Sequence, residues 1–313
     1  MLTAMSCGVA GVDTHMKAMG VTGNNISNVN TYGFKSSSAA FTDVMYQTLS
    51  SASAPGVARG GSNPVQVGYG AKLGTISVNA EKGDEAATGT QSDVYIDGEG
   101  YLILADNVTQ DKDGNGNVVP TATSYTYTRV GDLQFDAQGN LVDKISGKYV
   151  CGVNNVTKGD ETGTKTYAKT TKITPGDADS PAPIHYDPTT GGGPNNTFSG
   201  IAIAGDGTIT AKNGKGEVVT LGKIELAHFP NPAGLSQRGG SCMDKSDNSG
   251  DPTCDFAGSS GTGSLVSGAL EASNVDLATE LSNMIVYERG LQANSKIISV
   301  SDEMLETLVN MKR

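Results

Sequence analysis

Near the N-terminus apolar residues fall at Leu2, Met5, Val9, Val12, Met16, Met19 and Ile26. This alternation of three and four places one narrow apolar stripe along an α-helix. At the other end Leu277, Met284, Leu291, Ile298 and Leu305 recur every seven residues, and Leu281, Ile285, Leu308 and Val309 widen the stripe. Asn274 or Asp276 is placed to cap this second helix, Glu280 suits its first turn, and Lys312 and Arg313 suit its C-terminal dipole. Neither stripe is broad enough for a globular core. The two helices are therefore predicted to pair as a coiled coil or to meet other subunits; the alternative is that each docks separately on the central domain.

Between the helices the period changes from three or four to two. Alternation through Val65 and Val67, Lys72 to Val78, and Val94 to Leu104 predicts short strands. A second group runs through Tyr125 to Arg129, Leu133 to Phe135, Ile201 to Ile203, Thr208 to Ala211, Val218 to Leu221 and Ile224 to Phe229. DGEG at Asp97 to Gly100, DAQGN at Asp136 to Asn140 and GDG at Gly205 to Gly207 read as hairpin turns, because Gly and Asn tolerate positive φ. NPAGL, with Asn231, Pro232 and Gly234, reads as a tight turn. The predicted fold is thus mainly β, a body of short antiparallel strands, plus a coiled coil of the N- and C-terminal α-helices. The predicted domains are a discontinuous helical domain (1–49 and 265–313), a Ser/Gly-rich linker (50–71), a discontinuous β domain (72–153 and 198–264), and a small insertion or long loop (154–197).

Composition agrees with a β body of thin core. The chain has 313 residues and 42 Gly, where average usage of ~7% would give about 22. Trp is absent and Phe numbers 6. Lys and Arg total 22 against 33 Asp and Glu, a formal net charge of −11. With no basic run to displace counterions, nucleic-acid binding is excluded. No stretch reaches the ~18 apolar residues of a membrane span, so no membrane insertion is expected. The first residues lack the basic, apolar and small-residue regions of a cleavable signal peptide.

Chemical motifs are sparse. Cys7, Cys151, Cys242 and Cys254 form no CxxC pair, and His15, His185 and His228 lie far apart, so no metal site is expected. Cys242 and Cys254 flank a polar loop and are a candidate disulfide, the alternative being two free thiols. Asp111, Asp113, Asn115 and Gly116 match the first half of a calcium loop. Position twelve is Ala122 in place of Glu, so a hydrated hairpin tip is the competing reading. GxSxG, P-loop and HExxH are absent. Neither catalytic residues nor cofactors are expected; an acidic glycosidase and a monomeric binding module are the classes that compete with a structural polymer.

Several longer runs carry more specific information. TGNNISNVNTYGFKSSSAAFTDVMY (22–46) is followed by DVYIDGEGYLIL from Asp93, YTRVGDLQFDAQGNLV from Tyr127, LGKIELAHFPNPAGLSQRG from Leu221 and a long run from Gly268 to Arg313. In order and content these resemble the bacterial flagellar rod and hook subunits, over most of the chain outside 154–197 and the Cys242–Cys254 loop. Asn24, Asn25, Asn28, Asn30, Gly33, Phe34 and Lys35 make up the signature turn after the first helix. SNVDLATEL, LVNMKR and FTDVMYQ resemble the hook subunit more than the distal rod subunit. The short middle segment is a rod-like property and keeps the distal rod as the alternative.

The resemblance implies a homopolymer, a hollow tube whose inner wall is built from the terminal helices, with torque transmission as its role. Leu2, Met5, Val9, Val12, Met16 and Met19 would then face Leu277, Leu281, Met284, Leu291, Ile298 and Leu305 or other copies, and the termini would be disordered before assembly. It also implies distal rod, hook cap and hook-filament junction proteins as neighbours. Export would run through the flagellar type III apparatus without a cleaved signal, to the basal body or to the extracellular hook.

Overall fold

The computed structural model describes residues 2–56, 60–112, 118–136, 138–154, 181–185, 199–212, 218–259 and 261–311. Residues 113–117 of the partial calcium-loop match that begins at Asp111, and most of the expected insertion at 154–197, lie outside them. The chain divides into two units, one of residues 1–29, 36–79 and 275–313, the other of residues 30–35 and 80–274.

The first unit holds helices α1 (Leu2–Ser27) and α2 (Leu277–Asn310) and strands β1 (Ser37–Asp43), β2 (Tyr46–Ser50), β3 (Val65–Gly68) and β4 (Ala71–Val78). β1 pairs antiparallel with β4 from Ser37↔Val78 to Asp43↔Ala71, with a bulge at Ala40/Phe41, and β2 pairs with β3. β3, where alternation predicts a strand, lies in the segment expected as a linker, and β2 lies at the end of the stretch assigned to the helical domain; together they form an exposed ribbon, prolonged by the Ser53↔Ser62 bridge. β4, expected in the β body, lies against α1: Thr14 Oγ1, 2.6 Å from the Ala10 carbonyl of its own helix, shares its hydrogen with the Ala71 carbonyl at 3.1 Å. Gly70 sits at φ +106, and a Cβ there would lie 3.3 Å from Cys7 Cα. The missing side chain is what lets the strand approach the helix.

The second unit contains β5 (Glu85–Ala87), β6 (Val94–Asp97), β7 (Tyr101–Lys112), β8 (Val118–Thr128), β9 (Leu133–Phe135), β10 (Leu141–Asp143), β11 (Tyr149–Asn154) and β12 (Ala182–Pro183). It continues with β13 (Ser199–Ile203), β14 (Thr208–Lys212), β15 (Val218–His228), β16 (Ser236–Gly239), β17 (Cys242–Asp244), β18 (Thr253–Phe256), β19 (Ser264–Ser267) and β20 (Ala269–Glu271). Every pairing is antiparallel, with β13-β14-β15-β11-β7-β8-β17-β16 as the spine of the largest sheet. Two expected strands, 218–221 and 224–229, are one 11-residue strand.

β7 shows why this body needs little bulk. Leu102 and Leu104 enter one core with Leu133, Ile224 and Leu226, whereas Tyr101, Ile103 and Ala105 enter a second core with Tyr127, Phe229 and Met243. Both faces of the strand are buried. In the second core the Tyr127 and Phe229 rings meet edge to face at 4.8 Å, the favoured geometry for aromatic quadrupoles.

Of the three expected hairpin turns two hold and one fails, and the NPAGL turn forms, with the Gly234 amide donating to the Asn231 carbonyl at 3.2 Å. DAQGN closes the β9–β10 hairpin and GDG the β13–β14 hairpin, with Gly139 at φ +89 and Gly207 at φ +85. DGEG closes no hairpin, because β6 pairs with β19 while β7 pairs with β8. Gly98 (φ +130) and Gly100 (φ +131) instead carry the chain from one sheet to another. The candidate disulfide is not formed and the free-thiol alternative holds: Cys242 and Cys254 are free, buried, and belong to different cores. Burial pushes both thiols up, which leaves them as packing groups.

Candidate functional site

The apolar surface of this chain is distributed unevenly. Among the described residues, all the exposed large hydrophobics except Tyr32, Ile145, Val218 and Val219 lie in the unit built from the termini. Charge divides the other way. The terminal unit carries 7 Lys or Arg against 8 Asp or Glu, and the β body 15 against 25. A near-neutral, apolar surface is the kind that association buries, while the acidic body keeps its solubility.

Helix α2 is started by Asp276 rather than Asn274. Its carboxylate accepts from the Ala278 amide at 3.0 Å and the Thr279 hydroxyl at 2.6 Å, and these bonds hold it below the usual carboxylate range. Asn274 donates to the Glu81 carbonyl. Along α2 Glu280, Met284, Tyr287, Leu291, Asn294, Ile298, Ser301 and Leu305 form a half-buried or buried row in unbroken four-three alternation, with Asn283 and Gly290 half-buried beside it. Four members of the expected seven-residue repeat are in this row; Leu277 and Leu281 are exposed.

The two helices run antiparallel. Gly8 faces Ile298, Gly11 faces Asn294, His15 faces Gly290 and Asn25 faces Glu280, so the partner number falls as the α1 number rises. A Cβ on Gly11 would come within 2.6 Å of the Asn294 side chain, and one on Gly290 within 2.7 Å of the His15 ring. The close approach is made by small residues, not by the apolar stripe of α1. Met5, Val9 and Met16 are exposed, Val12 and Met19 half-buried, and Leu2 lies at the start of the helix. The expected facing of that stripe against Met284, Leu291, Ile298 and Leu305 is thus not how α1 meets α2. The His15 ring also lies 5.7 Å from Phe41 and 6.2 Å from Tyr287, so yielding would disturb two further ring contacts. Gly290→Ala is therefore expected to weaken the helix pair by about 1–3 kcal/mol, read as a lower melting temperature of the helical signal at 222 nm.

The signature turn falls in both units. In the first, Asn25 is fully buried; its side chain donates to the Ser37 carbonyl (2.8 Å) and to Glu280 (2.9 Å) and accepts from the Ser37 amide (3.0 Å). One amide thereby ties α1 to β1 and α2. Asn28 donates to the Asn24 carbonyl at 2.9 Å as α1 ends. In the second unit, Asn30 is exposed, Phe34 half-buried, and Gly33 and Lys35 buried. Lys35 Nζ donates to Glu271 Oε1 and to the Glu81 carbonyl, each at 2.6 Å. The other Glu271 oxygen accepts from Arg129 Nη1 at 3.3 Å, and Oε1 also accepts from the Gly83 amide at 2.8 Å. Burial pulls the Lys35 ammonium below its ordinary value, with Glu271 opposing that shift. Sequence reasoning flagged Lys35 but missed Glu271 and Arg129; an acidic residue amid the small and apolar run GALEAS was the available signal. It missed Gly8, Gly11 and Gly290 as well.

Comparison with known proteins assigns the architecture. Residues 266–311 match the family described as flagellar basal body rod FlgEFG protein C-terminal. The flagellar basal-body rod protein FlgG of Bacillus subtilis is 35% identical over 314 residues, 100% of both chains. FlgG of Borreliella burgdorferi is 30% identical over 316 residues, again 100% of both. The flagellar hook protein FlgE of the same organism is 26% identical over an alignment of 457 residues. The helix-ended, glycine-packed chain belongs to the flagellar rod and hook family of axial structural proteins.

Proposed function

We propose that this chain is the subunit of the distal rod, a hollow tube of its own copies that carries torque through the cell envelope. The observation that carries the choice of rod over hook is length. Alignments to the rod proteins run end to end at 314 and 316 residues, whereas the hook relative needs 457. A hook reading, favoured by SNVDLATEL, LVNMKR and the FlgE match, is the second choice. The supporting feature for polymerisation is the exposed apolar surface of the terminal unit, which a second copy would remove from water at roughly 25 cal/mol per Å².

In this reading the outward stripe of α2, with Leu277, Leu281, Ile285 and Val286, and the Met5, Val9 and Met16 edge of α1 are subunit contacts. A coiled-coil contact between copies is part of the proposal. The neighbours along the axis are the hook subunit and proteins that join or cap it, and export is through the flagellar type III apparatus.

Gold-labelled antibody on purified hook-basal bodies tests the assignment. Label on the straight segment within the envelope is the expected result. Label confined to the curved extracellular tube would move the chain to the hook.

A further inference from the structure

Residues 30–35 belong to the β body although the chain on either side of them belongs to the other unit. The body holds them as it would hold a separate peptide. The Gly33 amide donates to the Glu271 carbonyl at 2.8 Å, and the Tyr32 carbonyl accepts from Ser241 Oγ at 3.2 Å. Gly33 sits at φ +66, and a Cβ there would come within 2.6 Å of Val130 Cγ2, so only glycine enters this turn. Lys35 then passes its whole side chain into the interior, where both Nζ partners lie at 2.6 Å.

The receiving groups come from stretches far apart in sequence: Glu81 and Gly83, Arg129 and Val130, Ser241, and Glu271. Arg129 is held in turn by the Gly98 and Gly100 carbonyls. The Glu271 carboxylate is thus held by Arg129 at Oε2 and by the Gly83 amide at Oε1, independently of Lys35, and Oε1 takes the ammonium as its second donor.

We propose that the β body contains a binding site for a short peptide bearing a primary ammonium group, filled in cis by residues 30–35, with Glu271 and the Glu81 carbonyl as the ammonium receptor. The site selects lysine. A guanidinium is broader and planar, whereas the receptor offers two acceptors to one compact nitrogen. Emptied of Lys35, it leaves a buried carboxylate with less than its full set of donors, a costly state. This assignment does not depend on whether the polymer is rod or hook.

Chemical rescue in the full-length chain tests it. Lys35→Ala is expected to speed hydrogen exchange at the Gly33 and Gly83 amides on the order of 100-fold, and n-butylammonium chloride is expected to restore most of that protection. Sodium chloride at equal ionic strength and tetramethylammonium, which has no N–H donor, are expected to restore none. Unchanged Gly33 exchange in the variant, or equal rescue by all three salts, would overturn the proposal. If Lys35→Ala does not fold unaided, soluble refolding yield with each salt becomes the readout, and equal yields overturn it.

Discussion

Gly83→Ala is expected to unfold the β body. A Cβ at this position would lie 1.9 Å from the Ala272 carbonyl oxygen and 3.0 Å from its carbon. Those are backbone atoms, so no rotamer change relieves the overlap. The segments that would have to move are tied on both sides. The Gly83 amide donates to Glu271 at 2.8 Å, its carbonyl accepts from the Tyr95 hydroxyl at 3.1 Å, and the Ala272 amide donates to the Asp84 carbonyl at 2.9 Å. Relief therefore breaks hydrogen bonds to a buried carboxylate, and the loss is expected to reach at least about 3 kcal/mol. Against a whole-domain stability of roughly 5–15 kcal/mol, urea titration followed by tyrosine fluorescence should show a much lower midpoint or no folded baseline. Gly20→Ala is the counter-case. Gly20 is exposed on α1 with nothing within 4 Å of a new Cβ, so the change is expected to stabilise the helix by up to about 1 kcal/mol.

Val286→Glu is expected to abolish polymerisation while leaving the monomer's fold intact. Val286 is 63% exposed on α2 and its neighbour Ile285 58%, outside the row that faces α1. A glutamate there meets water in the free chain, and its effect on monomer stability should stay within ~0.5 kcal/mol. In a tube the same carboxylate would be buried against apolar groups of another copy, at every subunit along the wall. Loss of an interface anchor of this kind costs on the order of 1–3 kcal/mol per contact, and repetition along the polymer multiplies it. Sedimentation of purified subunits should find no pelletable tubes, and cells carrying the variant should not swim. Tubes of normal yield would show that this stripe of α2 is not an interface.

The α2 row was legible in the sequence because Met284, Leu291, Ile298 and Leu305 supply strong apolar periodicity. Its partner surface was not, because Gly8 and Gly11 act by absence of bulk, and no hydrophobic pattern marks a glycine that admits a neighbouring helix. Val65 and Val67 mark β3 by alternation, but the Ser- and Gly-rich stretch before them signals coil, and nothing in the sequence marks β2, whose five residues are all exposed. Lys35 stood inside a recognised motif, yet lysine is ordinarily a surface residue. Only its distance to Glu271, 236 positions away, reveals its use. Strand existence was legible through most of the body, whereas pairing was not, as DGEG shows: glycines at positive φ signal a change of direction without saying which strand comes next.

The double burial of β7 bears on alignment within the sheet. A strand with one wet face resists slipping by a residue, because the slip would drive polar groups inward and apolar groups out. Tyr101 to Ala105 has no such safeguard: a one-place shift would only exchange apolar side chains between two cores. Something other than hydrophobicity must fix Leu102 opposite Thr128. Arg129, the residue after β8, grips the Gly98 and Gly100 carbonyls just ahead of β7, and it reaches them only in the native alignment. The guanidinium thus serves the central hairpin as an index pin.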